Sequence, residues 1–302
     1  MLRLTGVSKT YRTGAFGRGT TNAVRDVSFE LRPGEVTSLI GESGSGKSTI
    51  GRMVLRLTRP TAGTVTFEGT DVARLSGAGL KEYYRHVQGV FQDPFSTYNP
   101  IFRADRVFAM IRQSYFPRVP DSEWRERVAE VVSSVNLNPD LVLGKYPHQL
   151  SGGQLQRLLV ARALLLDLRL LVADEIISML DASTRIDVLN LLADLKERGL
   201  AVLFVTHDLS LGNYLSDQTV ILRRGAVVER GATEKVFGDP RHPYTQSLLA
   251  SVPRLGTRWE DLPVPSPGSH SCATPLSEVE EGHFVACFDT DRVHHGRKSE
   301  SV

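Results

Sequence analysis

The short apolar run Val36-Thr37-Ser38-Leu39-Ile40 opens into Gly41-Glu42-Ser43-Gly44-Ser45-Gly46-Lys47-Ser48, and helix-forming sequence follows from about Lys47. A buried strand, a glycine-rich turn and a helix in that order place the region in an α/β fold and give the turn the context of a phosphate loop. Gly41, Gly44 and Gly46 allow successive backbone N–H groups to converge on phosphate oxygens, with Ser43 among them, at the positive end of the helix. Lys47 is placed to reach the β- and γ-phosphates, Ser48 to offer a hydroxyl to Mg²⁺, and Thr49 to lie near the α- and β-phosphates. Loops of this kind serve many unrelated NTPases, so this one sets a local geometry and leaves the activity open.

Three more strand-like runs end in polar residues. Val87 to Phe91 delivers Gln92, Leu170-Leu171-Val172-Ala173 stops in Asp174-Glu175, and Ala201 to Val205 stops in Thr206-His207-Asp208. Ligands in open α/β sheets bind at the carboxyl ends of the strands, so these termini are candidates for one site. The remaining sequence frames them. Leu2 to Val7 and Val24 to Glu30 alternate apolar with polar residues, as antiparallel strands with one wet face do. Gly14, Gly17 and Gly19 mark a loop between them, and Thr64 to Gly69 is a further strand and turn. Residues 94–144 change character, with apolar spacing at three and four in Ser122 to Val135 that predicts an amphipathic helix. The core resumes with predicted helices from Gln154 to Leu166 and Ser183 to Arg198, and Val220 to Gly231 reads as a hairpin. Prolines 253, 263, 265, 267 and 275 mark a loop-rich tail.

Composition excludes several alternatives. With 36 basic and 34 acidic residues the net charge is +2, which gives no basic footprint for a nucleic-acid partner. Cys272 and Cys287 are too few for a disulfide framework and suit a reducing cytoplasm. The N-terminus lacks the apolar core of a signal peptide. Leu155 to Ala173, the most apolar stretch, is broken by Arg157, Arg162, Asp167 and Arg169, so a membrane span is not expected. Any work at a membrane is expected to come from docking on something embedded there.

The pentapeptide Leu150-Ser151-Gly152-Gly153-Gln154 adds the most specific signal. Together with the phosphate loop, Asp174-Glu175 and Thr206-His207-Asp208, it resembles the nucleotide-binding subunit of an ABC transporter. The resemblance implies a P-loop NTPase (RecA-like) α/β core with an N-terminal antiparallel β subdomain, an inserted helical subdomain at about 94–153 and a loop-rich C-terminal extension. The nucleotide-binding domain would span 1–240 and the extension 241–302. It implies that Asp174 orients Mg²⁺ through water, that Glu175 polarises the attacking water, and that Gln92 senses metal and water. His207 would contact the γ-phosphate, Asp181 would couple two subunits, and Tyr11 would stack on adenine, with a buried packing tyrosine as the alternative. Ile176 stands where the family usually has proline, which alters loop stiffness. Ser151, Gly152, Gly153 and Gln154 would bind the γ-phosphate of ATP held by the opposite subunit, as a helix N-terminus suits an anion.

Phe91 to Pro100, Tyr146-Pro147-His148-Gln149 and His242 to Pro253 resemble the oligopeptide/dipeptide importer branch of that family. The last segment stands apart from the nucleotide motifs, and ATP use offers no reason for it. Many such relatives hold an iron–sulfur cluster, which wants about four cysteine thiolates. Two remain here, so the cofactors expected are ATP and Mg²⁺ without a cluster. The partners implied are two membrane permease subunits, a second ABC ATPase subunit (the same chain or a related one) and, indirectly, an extracytoplasmic substrate-binding protein. The chain would sit on the cytoplasmic face of the cell membrane. Peptides are the cargo the resemblance favours, with oligosaccharides or nickel as alternatives. A soluble ABC ATPase acting on nucleic acid is disfavoured because coiled-coil arms, zinc inserts and tandem cassettes are not visible.

Overall fold

A computed structural model describes residues 1–13, 19–251 and 275–286. The chain begins with β1 (Leu2–Thr13), β2 (Gly19–Leu31) and β3 (Val36–Ile40), then α1 (Lys47–Val54), β4 (Ala62–Phe67), β5 (Thr70–Asp71), α2 (Gly77–His86) and β6 (Val87–Phe91). Four helices follow: α3 (Pro94–Thr97), α4 (Arg106–Tyr115), α5 (Asp121–Ser134) and α6 (Pro139–Val142). The core continues through α7 (Gly152–Leu164), β7 (Leu170–Asp174), α8 (Ala182–Glu197), β8 (Ala201–Thr206) and α9 (Leu209–Leu215). It closes with β9 (Gln218–Arg223), β10 (Ala226–Ala232), α10 (Thr233–Gly238), α11 (Pro243–Ala250), β11 (Ser277–Glu280) and β12 (His283–Val285).

The strands make two sheets. An antiparallel sheet has the order β2-β1-β4-β5, and an eight-stranded sheet runs β11-β12-β10-β9-β3-β8-β7-β6. In the larger sheet β9, β3, β8, β7 and β6 are parallel, whereas β10, β12 and β11 add antiparallel at one edge. Every residue of β3, β7 and β8 is buried, so these strands carry the near-continuous apolar runs of a sheet covered on both faces. Alternate side chains still serve different cores. Leu170, Val172, Leu203 and Val205 pack towards α1 and the antiparallel sheet, while Leu171, Ala173, Val202 and Phe204 pack towards α7, α8 and the helical insert.

The insert behaves as its sequence predicts. In α5, Trp124, Val128 and Val132 recur every four residues and are buried in the same core as Phe108 of α4 and Leu155 and Leu158 of α7. Three readings change. The first predicted helix after the insert starts at Gly152 instead of Gln154, because Ser151 caps it. Gly19 belongs to β2, while Gly14 and Gly17 lie outside the described residues. The end of the loop-rich tail is not all loop: β11 and β12 form a hairpin that joins the sheet through β10. Cys272, Cys287 and prolines 253, 263, 265 and 267 lie outside the described residues.

Candidate nucleotide site

Parallel register gathers the strand ends. Phe91 lies opposite Asp174, Asp174 opposite Val205, and Ile40 opposite Thr206. Gln92, Glu175, His207 and Gly41 each follow one of those residues, so all four emerge at one edge of the sheet, where parallel α/β sheets bind ligands.

The phosphate loop is held from outside as well as within. Gly46 has φ 106°, and a Cβ there would come within 2.4 Å of the Ala23 carbonyl oxygen in β2. Only glycine permits both that conformation and that approach. The β9–β10 turn fastens the loop further: the Gly225 N–H donates to the Ser45 carbonyl at 2.9 Å, and the Arg25 N–H donates to the Gly225 carbonyl at 2.7 Å. Lys47 is only 5% exposed, and its Nζ donates to the carbonyls of Gly41 (2.6 Å) and Glu42 (2.9 Å). Burial pushes its pKa below the ordinary lysine value, against the opposing pull of Glu175, Asp174 and Glu42. Ser43 and Gly44 lie within the loop, and Thr49 is in the first turn of α1.

The two adjacent carboxylates meet different partners. Asp174 is buried and accepts the Ser48 hydroxyl at 3.3 Å. Desolvation raises its pKa; the Ser48 hydrogen bond opposes this and the neighbouring Glu175 adds to it. Glu175 leaves the strand with φ 52°, a left-handed conformation costly for a residue with a Cβ. Its N–H donates to the Val205 carbonyl at 2.9 Å, and Ser178 donates backbone N–H and hydroxyl to its carbonyl at 3.1 and 2.9 Å. That fixed turn brings Glu175 Oε1 to 3.4 Å from His207 Nδ1. The His207 side chain is 60% exposed and Glu175 21%, so the pair faces the open edge. Behind it, Asp208 caps α9 by accepting the N–H groups of Ser210 and Leu211 at 2.9 and 3.3 Å. Gln92 is exposed at the end of its strand, and Ile176, beside Glu175, is buried in the insert-side core.

Tyr11 is exposed, not a buried packing residue, with Lys9 Nζ 5.1 Å from its ring centroid. It pairs with Thr21 in β2, two residues before the Ala23 that touches the phosphate loop. Leu150 to Gln154 goes elsewhere. Ser151 and Gln154 form a capping box, the Gln154 N–H donating to Ser151 Oγ (3.2 Å) and the Ser151 N–H to Gln154 Oε1 (2.9 Å). A Cβ on Gly152 would meet Leu180 and Phe95, and one on Gly153 would lie 2.1 Å from Thr184 Cγ2. Asp181 caps α8. Among the described residues, no hydrogen bond or ion pair joins this pentapeptide to Gly41–Ser48.

One expectation is overturned. The segment beginning at His242 does reach the phosphate loop, because the Glu42 N–H donates to the Tyr244 hydroxyl at 3.3 Å. Sequence offered Tyr244 only as a subfamily marker, since 202 residues separate it from Glu42.

The chain matches the ABC transporter family over residues 24–178 and the oligopeptide/dipeptide transporter C-terminal region over residues 228–274. It is 39% identical over 283 residues to the oligopeptide transport ATP-binding protein OppF of Bacillus subtilis, covering 91% of this chain and 92% of the relative. It is 37% identical to AppF of the same organism, also named an oligopeptide transport ATP-binding protein, covering 95% and 96%. Among solved structures, a dimeric ATP-binding cassette in a post-hydrolysis state bound to ADP and Pi is similar with TM-score 0.69 at 30% identity, covering 77% of this chain and 99% of that one.

Proposed function

The chain belongs to the ABC transporter family of ATP-binding subunits, and from that premise we propose that it hydrolyses ATP to power uptake of peptides through membrane permeases. The observation that carries the catalytic reading is the Glu175–His207 pair, set at the strand edge beside the phosphate loop. The match of residues 228–274 to the oligopeptide/dipeptide transporter C-terminal region supports peptides as cargo.

The residues divide the work. Loop N–H groups between Ser43 and Ser48, apart from that of Ser45, which donates to the Glu42 carbonyl at 3.1 Å, and the Lys47 ammonium, already aimed into the loop, bind the phosphates and offset their charge. A water positioned by Gln92 and His207 attacks the γ-phosphorus, and its proton passes to a Glu175 carboxylate oxygen as the bond to the β-γ bridging oxygen breaks. ADP and phosphate are the products. His207, at 3.4 Å from Glu175, orients that carboxylate and reaches the γ-phosphate. The Ser48 hydroxyl and the buried Asp174 carboxylate are a hard-oxygen donor pair that would hold Mg²⁺. Bound there, the ion would neutralise charge on the β- and γ-phosphates. Tyr11, exposed on the β2 side of the loop, is the surface on which adenine stacks.

Ser151 to Gln154 caps a helix away from this edge, and we assign it to the γ-phosphate of the nucleotide held by a second ATPase subunit. No helix among the described residues is long and apolar enough to cross a membrane. Attachment at the cytoplasmic face would therefore come from docking on two permeases, which receive cargo from an extracytoplasmic binding protein. Glu175→Gln tests the assignment. In the assembled transporter, steady-state ATP turnover should fall at least about 100-fold, the usual worth of a general base, while ATP binding is retained. Unchanged turnover would remove Glu175 from the proton-accepting role.

A further inference from the structure

Tyr244 belongs to the C-terminal extension, yet it packs in one small core with Ile40, the residue before the phosphate loop, and Leu209, at the start of the helix behind His207. Val228, Val236 and Ile221 complete that core. The Tyr244 hydroxyl receives the Glu42 N–H at 3.3 Å, and the Glu42 carbonyl receives Lys47 Nζ at 2.9 Å. Glu42 is thus held at both ends, by a catalytic-loop lysine and by the extension. Arg223 lies over the tyrosine ring at 4.9 Å.

A second observation explains what holds Tyr244. Glu229 in β10 is 0% exposed, and a carboxylate so buried requires partners. Its Oε1 lies 2.8 Å from His283 Nε2 and accepts the Arg241 N–H at 2.8 Å, while Oε2 accepts the His242 N–H at 3.0 Å. His242 Nδ1 in turn accepts the Tyr244 N–H at 3.0 Å and caps α11. One carboxylate therefore ties the C-terminal hairpin, through His283, to the turn that sets Tyr244. The same residue lies on a rung across the sheet: Val285 opposite Glu229, Glu229 opposite Ile221, Ile221 opposite Ile40, and Ile40 opposite Thr206. That rung ends beside His207.

We propose that Tyr244 is a positioning residue for the phosphate loop, fixing the Glu42 peptide, and that the buried Glu229–His283 pair holds Tyr244 in place, so that the C-terminal extension sets the affinity for ATP. This rests on the reading of Gly41 to Ser48 as the nucleotide loop. The extension reaches the site through Glu42, whose N–H is committed to Tyr244 and whose carbonyl receives the Ser45 N–H at 3.1 Å, so the peptide that Tyr244 holds is itself part of the turn of the loop.

Tyr244→Phe keeps the ring and deletes only the hydroxyl. In the assembled transporter, built with the full-length chain, its KM for ATP should rise about fivefold, as the loss of one hydrogen bond of ordinary net strength gives, with kcat within about twofold. The melting temperature without nucleotide should fall by no more than the few degrees that one hydrogen bond accounts for. Glu229→Gln should raise KM in the same direction, and the double variant should do no worse than the more impaired single one, since both act through one tyrosine. A Tyr244→Phe KM equal to wild type, with Tyr244→Leu impaired, would show that the ring merely packs and would overturn the proposal. Additive effects would break the link to Glu229. The unsubstituted subunit and Lys47→Ala are compared first for binding of a fluorescent ATP: equal, negligible binding by both would remove the nucleotide-site reading itself, whereas lysine-dependent binding with an unaltered Tyr244→Phe KM would remove this inference alone.

Discussion

Gly153 shows how one residue can answer to two demands. Its place in the capped first turn of α7 suits an anion-binding turn, which is how sequence presents it. The fold adds a steric demand, because any Cβ there would stand 2.1 Å from Thr184 Cγ2 on α8. Thr184 cannot simply rotate away, since its hydroxyl is bonded to Asp181 Oδ2 at 2.8 Å. Gly153→Ala should therefore destabilise the protein by about 1–2 kcal/mol, overpacking outweighing alanine's better helix propensity. Thr184→Ser removes the methyl and keeps the hydroxyl, so the double variant should recover most of that loss. Denaturant midpoints of the four proteins check this, and a double variant as weak as Gly153→Ala would point to backbone conformation as the cause. The sequence reading starts α7 at Gln154, and the fold moves the start to Gly152 because Ser151 and Gln154, three residues apart, close a capping box. The contact of Gly153 could not be read, because Thr184 reaches it from another helix.

At the scale of elements, β3, β7 and β8 could be read directly, since strands buried on both faces are written as near-continuous apolar runs, whereas β6 is only partly buried and is interrupted by Gln88-Gly89. The hairpin of β11 and β12 could not be read: its strands have four and three residues, and β10, the strand it joins, lies far back in the sequence. Helix α8 gives a case where local chemistry precedes any role between subunits. Asp181, expected to couple subunits, accepts the Ser183 hydroxyl at 2.7 Å, the Thr184 N–H at 3.0 Å and the Thr184 hydroxyl at 2.8 Å. These bonds, led by Ser183, hold its carboxyl well below the usual carboxylate range. A folded-state pKa below the unfolded value means that the ionised cap contributes stability above the ordinary carboxylate pKa and loses it as pH falls through the folded value. The stability gap between wild type and Asp181→Ala should thus be constant from neutral pH down to about pH 5 and narrow below about pH 4. Denaturant titrations across that range read it directly, and a gap independent of pH would leave the cap without a charge contribution.

For the whole molecule, the arrangement of motifs bears on the proposal that one chain is half of a catalytic unit. Lys47, Ser48, Asp174, Glu175 and His207 meet at one sheet edge, whereas Ser151 and its glycines form the start of α7 and pack against Leu180, Phe95 and Thr184. On the proposed half-site reading, this helix N-terminus, capped by Ser151 and Gln154, meets the phosphate of a nucleotide held by a second subunit. Ser151→Arg separates the two possibilities. A long cation at that cap would block the approach of a second subunit's phosphate loop while leaving this chain's own loop intact. ATP binding to the isolated variant should stay within about twofold of wild type, and turnover in the assembled transporter should fall by the roughly 100-fold or more that loss of a positioned phosphate contact produces. Ser151→Ala supplies the stability control, since both variants forfeit the N-cap hydroxyl, worth about 1 kcal/mol. Turnover losses that track equal losses of thermal stability in the two variants would trace the defect to helix capping, and impaired ATP binding by the isolated Ser151→Arg chain would place the pentapeptide at its own nucleotide and end the half-site reading.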